Sequence, residues 1–204
     1  MRFLINQKKA EIVRLPIFPG ELLLLENFIS EQFALTIMQR LKDQIQWKQD
    51  TITMFGKVHP VPRLTAWYGD AGKTYTYSGI RSEPKPWIEE LLTLKNQIES
   101  LLPELKFNSV LLNHYRNGLD KMGWHSDDEK EMGINPTVAS VSLGATRRFD
   151  LRNKSDKNKV FKLDLTNGSL LIMRGELQHY WVHQVPQQKR ITEERINLTF
   201  RKIN

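Results

Sequence analysis

Two histidines and an aspartate have the types and spacing to do chemistry together. His125-Ser126-Asp127 sets an imidazole and a carboxylate two residues apart, and on an extended chain side chains at i and i+2 share a face. A second imidazole from His183, far downstream, completes a set of two histidines and one carboxylate. Such a set takes one face of a metal ion and leaves the opposite positions open, as in non-haem Fe(II) sites that use oxygen. Asp128 competes with Asp127 for the carboxylate position, but on an extended chain it faces away from His125. The C-terminal run Arg195-Ile196-Asn197-Leu198-Thr199-Phe200-Arg201 offers a pocket for a dicarboxylate co-substrate. Alternation puts Arg195, Asn197, Thr199 and Arg201 on one side of a strand and the apolar residues on the other. The planar fork of arginine donates two parallel charged hydrogen bonds to a carboxylate.

His59, His114 and His179 are the remaining three of five histidines. His179 and His183 are four apart, the spacing of a zinc-protease pair on a helix, but that motif needs Glu after the first His. Tyr180 stands there, and Trp181, Val182 and Val185 favour a strand. The chain has no cysteine, which excludes disulfides, Fe–S clusters and cysteine-based zinc sites. Its longest aliphatic run, Leu22 to Leu25, is too short to span a bilayer. Met1–Ile5 lacks the apolar core of a secretory signal, so the chain is expected not to be secreted. Net charge is +7, from 30 Lys and Arg against 23 Asp and Glu, which favours a polyanionic partner such as nucleic acid.

The elements that must position these residues are legible in coarse form. Residues 1–29 read as short strands and turns. Ser30 reads as an N-cap, and Phe33, Ile37, Met38, Leu41 and Ile45 give helical spacing over 31–46. A second helix is expected to start at Pro86 and to stop at Pro103, with Trp87, Leu91, Leu94 and Ile98 on its buried stripe. Between the helices, residues 50–81 interleave Phe55, Trp67, Tyr68, Tyr75 and Tyr77 with Lys57, Arg63, Lys73 and Arg81. Aromatic faces among basic side chains suit unpaired bases, although Trp67 and Tyr68 read as core. From Phe107 onward short strands follow one another: Phe107–Arg116, Thr137–Leu143, Arg147–Arg152, Val160–Leu165, Ser169–Met173, Trp181–Val185 and Arg195–Ile203. Strands in series after two helices predict an α+β, mainly β fold, a β-sandwich or jelly roll with the N-terminal helices packed on one sheet. One domain over 1–204 is expected, with 1–106 carrying the helices and the aromatic segment and 107–204 the β core. Arg147, Arg148, Arg152, Lys154, Lys157, Lys159 and Lys162 concentrate positive charge around one hairpin, read either as a solvated loop or as a phosphate-contacting edge.

Read together, Asn113-His114-Tyr115, Gly123-Trp124-His125-Ser126-Asp127-Asp128-Glu129, His183-Gln184-Val185-Pro186 and Arg195–Arg201 resemble the AlkB family of Fe(II)- and 2-oxoglutarate-dependent dioxygenases. The resemblance runs from about Phe55 to the C-terminus. Phe55-Gly56-Lys57, Val61-Pro62-Arg63, Tyr68–Gly72 and Thr74–Gly79 resemble the branch that acts on duplex DNA. It implies a double-stranded β-helix (jelly roll) with His125, Asp127 and His183 as catalytic iron ligands. Asn113, Tyr115, Arg195, Asn197, Thr199 and Arg201 would then hold 2-oxoglutarate. Phe55, Arg63, Tyr75, Tyr77, Asp128 and Glu129 would meet the substrate, Phe55 as the apolar finger that fills the gap left by a flipped base. Tyr77 departs from the Phe usual at its position.

The implied activity is oxidative demethylation of 1-methyladenine and 3-methylcytosine in DNA, with O2 consumed and succinate and formaldehyde released. The expected partner is alkylated DNA, single- or double-stranded, met by a monomer in the cytoplasm of a bacterium or the nucleus of a eukaryote. The competing readings are an oxygenase acting on RNA or protein, an inactive nucleic-acid-binding module, and a zinc hydrolase.

Overall fold

The computed structural model describes residues 11–54, 56–73, 75–77 and 80–204, and for 53–54, 75–77 and 80–82 the backbone alone. Ser30 is extended and its hydroxyl accepts a hydrogen bond from the Phe33 N–H at 3.3 Å, which starts α1 (Glu31–Gln44). Ala34, Ile37, Met38 and Leu41 form its buried stripe. The second helix, α2 (Glu89–Leu101), buries Leu91, Leu94 and Ile98. It begins three residues after Pro86, not at it. Lys85 is held extended beside Trp67 and Gly69 by backbone hydrogen bonds of 2.9 and 3.0 Å, and a residue before proline already disfavours the helical region. Among the described residues no helix is long and apolar enough to cross a membrane.

The strands are β1 (Val13–Leu15), β2 (Glu21–Leu25), β3 (Thr51–Met54), β4 (Lys57–Pro60), β5 (Leu64–Gly69), β6 (Tyr75–Tyr77), β7 (Ile80–Ser82) and β8 (Ser109–Tyr115). After them come β9 (Met122–His125), β10 (Val138–Gly144), β11 (Arg147–Asn153), β12 (Val160–Leu165), β13 (Leu170–Arg174), β14 (Trp181–Val185) and β15 (Arg195–Arg201). A short helix, α3 (Leu177–Tyr180), precedes β14. The larger sheet has the order β1-β2-β13-β10-β15-β8-β5 and the smaller one β12-β11-β14-β9. Their pairings are antiparallel, the jelly roll expected from the serial strands. β3 with β4 and β6 with β7 form two separate two-stranded sheets.

Burial explains the strand sequences. Both helices pack on the outer face of the larger sheet, where Val110, Leu112, Val141, Leu143, Ile196, Leu198 and Phe200 join their stripes. The inner face meets the smaller sheet through Val138, Leu171, Met173, Phe149, Leu151 and Val185. Strand β2 has no polar face because it has no wet one: Leu23 and Leu25 belong to the outer core and Leu22 and Leu24 to the inner one. Burying each such leucine contributes roughly 1.5–3 kcal/mol. At β15 the inner positions are Arg195, Asn197, Thr199 and Arg201, all buried. Polar groups in such a place need partners, and theirs define the site.

Candidate active site

Register assembles the site. On β15, Asn197 pairs with Asn113 of β8 and with Ser142 of β10, while Arg195 lies opposite Tyr115. On the facing sheet, His183 of β14 is opposite His125, the last residue of β9. Asp127 follows in the irregular chain after β9. One ligand atom each from His125, Asp127 and His183 lie within 4.8 Å of one another, close enough to hold a metal ion. A cavity of about 560 Å³ opens beside them between the sheets.

Each of the three has a neighbour that sets its chemistry. His125 Nδ1 is 2.8 Å from the Gly123 carbonyl oxygen and so donates its proton there, which leaves Nε2 free to ligate. Phe149 stacks on the His183 ring at 5.2 Å. Burial, with help from His125 and against the pull of Asp127, pushes the His183 imidazole down to about 3. It is therefore neutral at pH 7, the form that binds metals. For Asp127 burial opposes ionisation, but the Arg201 guanidinium and the two imidazoles outweigh it and hold the carboxyl below its ordinary range. Arg201 Nη2 donates to Asp127 Oδ1 at 2.6 Å, and Oδ2 is the oxygen facing His183 Nε2, at 3.8 Å. One oxygen of the carboxylate is thus held and the other aimed at the cluster. Gln178 completes the arrangement from α3: it is fully buried, and its Oε1 accepts the Asp127 backbone N–H at 3.0 Å.

The cavity wall suits a small anion. Asn113, Tyr115, Asn197, Thr199 and Arg201 line it together with the three candidate ligands. Asn197 donates to Ser140 Oγ at 2.7 Å, and Thr199 donates to Asn197 Oδ1 at 3.1 Å. Arg195 is not a lining residue but is buried against Tyr115, its guanidinium carbon 5.4 Å from the ring centre. Its Nη2 donates to Ser142 Oγ at 2.9 Å, while Nε and Nη1 are buried without a hydrogen-bond acceptor among the described residues. Burial lowers it to about 10, Arg147 adding to the shift and Tyr115 opposing it, so it stays charged at pH 7. A buried cation with two orphan donors matches one end of a dicarboxylate, and Arg201 with the metal cluster could take the other.

The remaining predicted residues fall in three places. Arg63 lines the cavity and is buried, its Nε donating to Asn113 Oδ1 at 2.7 Å, and Glu129 also lines it. Asp128 does not: it pairs at the surface with Lys154 Nζ at 3.0 Å. Phe55 lies outside the described residues, as do the side chains of Tyr75 and Tyr77, whose backbones form β6. His179 sits exposed on α3, away from the cluster, so no His179–His183 pair forms. The basic hairpin divides. Arg147 is buried and cannot belong to a phosphate-contacting edge, Arg152 stands 4.2 Å over the Trp124 ring, and Lys154 is engaged with Asp128 and the Gln178 carbonyl. Sequence reasoning missed Gln178 altogether. It also missed Lys48, Asp50, Glu83 and Lys85, which line the outer cavity.

A family model described as the 2OG-Fe(II) oxygenase superfamily matches residues 21–201. DNA oxidative demethylase ALKBH2 of Homo sapiens is 41% identical over 177 residues, 82% of this chain and 67% of the relative. The Bos taurus ALKBH2 has the same identity and coverage of this chain, which spans 63% of that relative's length. Alpha-ketoglutarate-dependent dioxygenase alkB homolog 3 of Homo sapiens is 42% identical over 208 residues, 98% of this chain and 69% of the relative. The chain therefore spans roughly two thirds of the length of these curated relatives. A solved structure of OsALKBH1 shares the fold, with a TM-score of 0.67 at 22% identity over 93% of this chain and 100% of that one.

Proposed function

Because the chain belongs to the 2OG-Fe(II) oxygenase superfamily, we propose that it demethylates N-alkylated bases in DNA, 1-methyladenine and 3-methylcytosine among them, and so repairs alkylation damage. The superfamily's chemistry uses Fe(II), 2-oxoglutarate and O2. The observation that carries the reading is the pairing of a His-Asp-His cluster with the buried, partly unpartnered guanidinium of Arg195 across Tyr115. Relatives named DNA oxidative demethylase support DNA as the substrate.

Iron bound with 2-oxoglutarate and O2 would supply the oxidising chemistry for hydroxylation of an N-alkyl carbon, and the hydroxylated alkyl group would leave as formaldehyde. His125, Asp127 and His183 would hold the metal, His125 Nε2 and Asp127 Oδ2 being the atoms left free to do so, with Gly123, Arg201 and Gln178 keeping the side chains aimed. Arg195 takes one carboxylate of 2-oxoglutarate, and Arg201, Asn113, Tyr115, Asn197 and Thr199 shape the rest of its pocket. Arg63 and Glu129 line the cavity on the side where the base would sit, with the Glu129 carboxylate accepting from an exocyclic amine, and Tyr75 and Tyr77 are assigned to base contact by the family resemblance. Phe55 wedges the duplex. Methylation of the Watson–Crick edge weakens pairing and lowers the cost of flipping. The protein acts as a monomer in the compartment that holds the DNA.

The test is formaldehyde and succinate release from a 3-methylcytosine oligonucleotide with Fe(II), ascorbate and 2-oxoglutarate, against an iron-free control. Iron-dependent release of both is expected. Succinate without formaldehyde would move the substrate to RNA or protein, and neither product from iron-loaded protein would leave a binding module.

A further inference from the structure

Arg147 lies outside the set of residues assigned to iron, 2-oxoglutarate or base, and its environment is unusual for a charged side chain. It is 1% exposed. Among the described residues no carboxylate lies within ion-pair distance of it. Its partners are oxygens of two loops instead. Nη1 donates to the Asn117 carbonyl at 3.1 Å and Nη2 to the Asp120 carbonyl at 2.8 Å. On the other loop Nη2 donates to the Pro186 carbonyl at 2.9 Å and Nε to Gln188 Oε1 at 3.3 Å. The first loop joins Tyr115 at the end of β8 to β9, which carries His125. The second joins β14, which carries His183, to Arg195 at the start of β15.

The two loops are also zipped directly. Gly118 N–H donates to the Ile191 carbonyl and Gln188 N–H to the Gly118 carbonyl, both at 2.8 Å. They approach so closely that a Cβ on Gly118 would fall 1.9 Å from the Gln188 carbonyl oxygen. The Arg147 guanidinium carbon stands 5.4 Å from the centre of the Tyr115 ring, the distance at which Arg195 also stands from it. A buried cation whose hydrogen bonds go to neutral oxygens stabilises a fold less than an apolar side chain of its volume would. What a five-donor planar fork does better than any apolar group is fix several oxygens in one geometry.

We propose that Arg147 is a positioning residue for the co-substrate pocket: it clamps the 117–120 and 186–188 loops and backs Tyr115, so that Tyr115 and Arg195 are preset to receive 2-oxoglutarate. This rests on the reading of that pocket given above. The metal ligands lie farther along both strands and have their own supports in Gly123, Gln178 and Arg201. Loss of the clamp therefore separates co-substrate binding from metal binding, which general destabilisation does not.

The experiment is calorimetric titration of Mn(II), and then of 2-oxoglutarate, into wild-type protein, Arg147→Lys and Gln188→Ala, each checked by thermal melting. Lysine keeps the charge but cannot reach both loops. Arg147→Lys is expected to weaken 2-oxoglutarate binding about tenfold while Mn(II) affinity stays within about twofold, with a smaller loss of the same kind in Gln188→Ala. Unchanged 2-oxoglutarate affinity in Arg147→Lys, or parallel loss of metal and co-substrate, overturns the role. If Arg147→Lys does not fold, Gln188→Ala decides, and an unaltered co-substrate affinity in it overturns the role. Wild-type protein that binds Mn(II) but not 2-oxoglutarate refutes the pocket itself, and the positioning role with it.

Discussion

Gln178→Met tests how the candidate metal site is built, because it removes one acceptor and little volume. Gln178 is 0% exposed, and its Oε1 is the acceptor recorded for the Asp127 N–H, at 3.0 Å. Its Nε2 donates to the Met173 sulfur, at 3.7 Å. Methionine would pack in that space but leave the amide buried and unsatisfied, at a cost of about 1–3 kcal/mol. In a chain of this size each kcal/mol lowers Tm by roughly 2–4 °C, so a drop of roughly 2–12 °C is expected without metal. The freed backbone also lets the Asp127 carboxylate swing, since Arg201 then holds it alone from the side-chain end. Supports of this kind are usually worth about 10–100-fold in metal affinity. The assay pairs melting curves of metal-free protein with Mn(II) titration. A lower Tm with unchanged Mn(II) affinity would reduce Gln178 to a packing residue, and no change in either would refute the hydrogen bond.

Acid stability gives a second test. Burial alone would raise the Asp120 carboxyl, but hydrogen bonds from the Arg116 side chain and backbone, at 2.8 to 2.9 Å, hold it below its ordinary range. A depressed folded-state value means the stabilisation is present above the unfolded value of about 3.9 and is lost as pH falls through the folded one. Asp120→Asn is therefore expected to cost about 1 kcal/mol at pH 7, the half-exposed Arg116 setting the low figure. Urea melts at pH 7 and pH 3 check it, and an equal deficit at both would contradict the ionic origin. For the base-flipping step, Phe55→Ala is expected to reduce demethylation of duplex DNA more than of single strands. Equal losses on the two substrates would remove the wedge role.

The strand faces that line the candidate cavity were readable because strands advertise their faces. The Arg195–Arg201 alternation put four polar residues on one side, and that side is the inner, buried face of β15. The same rule expected His125 and Asp127 together with Asp128 turned away; the two do meet, although Asp127 lies in irregular chain past β9, and Asp128 pairs at the surface with Lys154, whereas the family resemblance had placed Asp128 beside the base. What a linear pattern does not carry is depth. Arg147 looked like one more charge in a basic hairpin and is buried. Gln178 sat in a segment read for its two histidines, yet it is the glutamine that supports Asp127. The Pro86 start of α2 failed for a related reason, because the pull of β5 on Lys85 is a tertiary contact that local preference does not contain.

The central claim is that His125, Asp127 and His183 hold iron beside a 2-oxoglutarate pocket. The most direct measurement is the visible absorption that arises when 2-oxoglutarate chelates Fe(II), recorded without oxygen in wild-type protein and in His183→Ala. The wild-type protein is expected to develop the band only when both iron and 2-oxoglutarate are present, and His183→Ala, still folded by circular dichroism, is expected to lack it. A band of wild-type strength in His183→Ala would place the iron elsewhere and contradict the account.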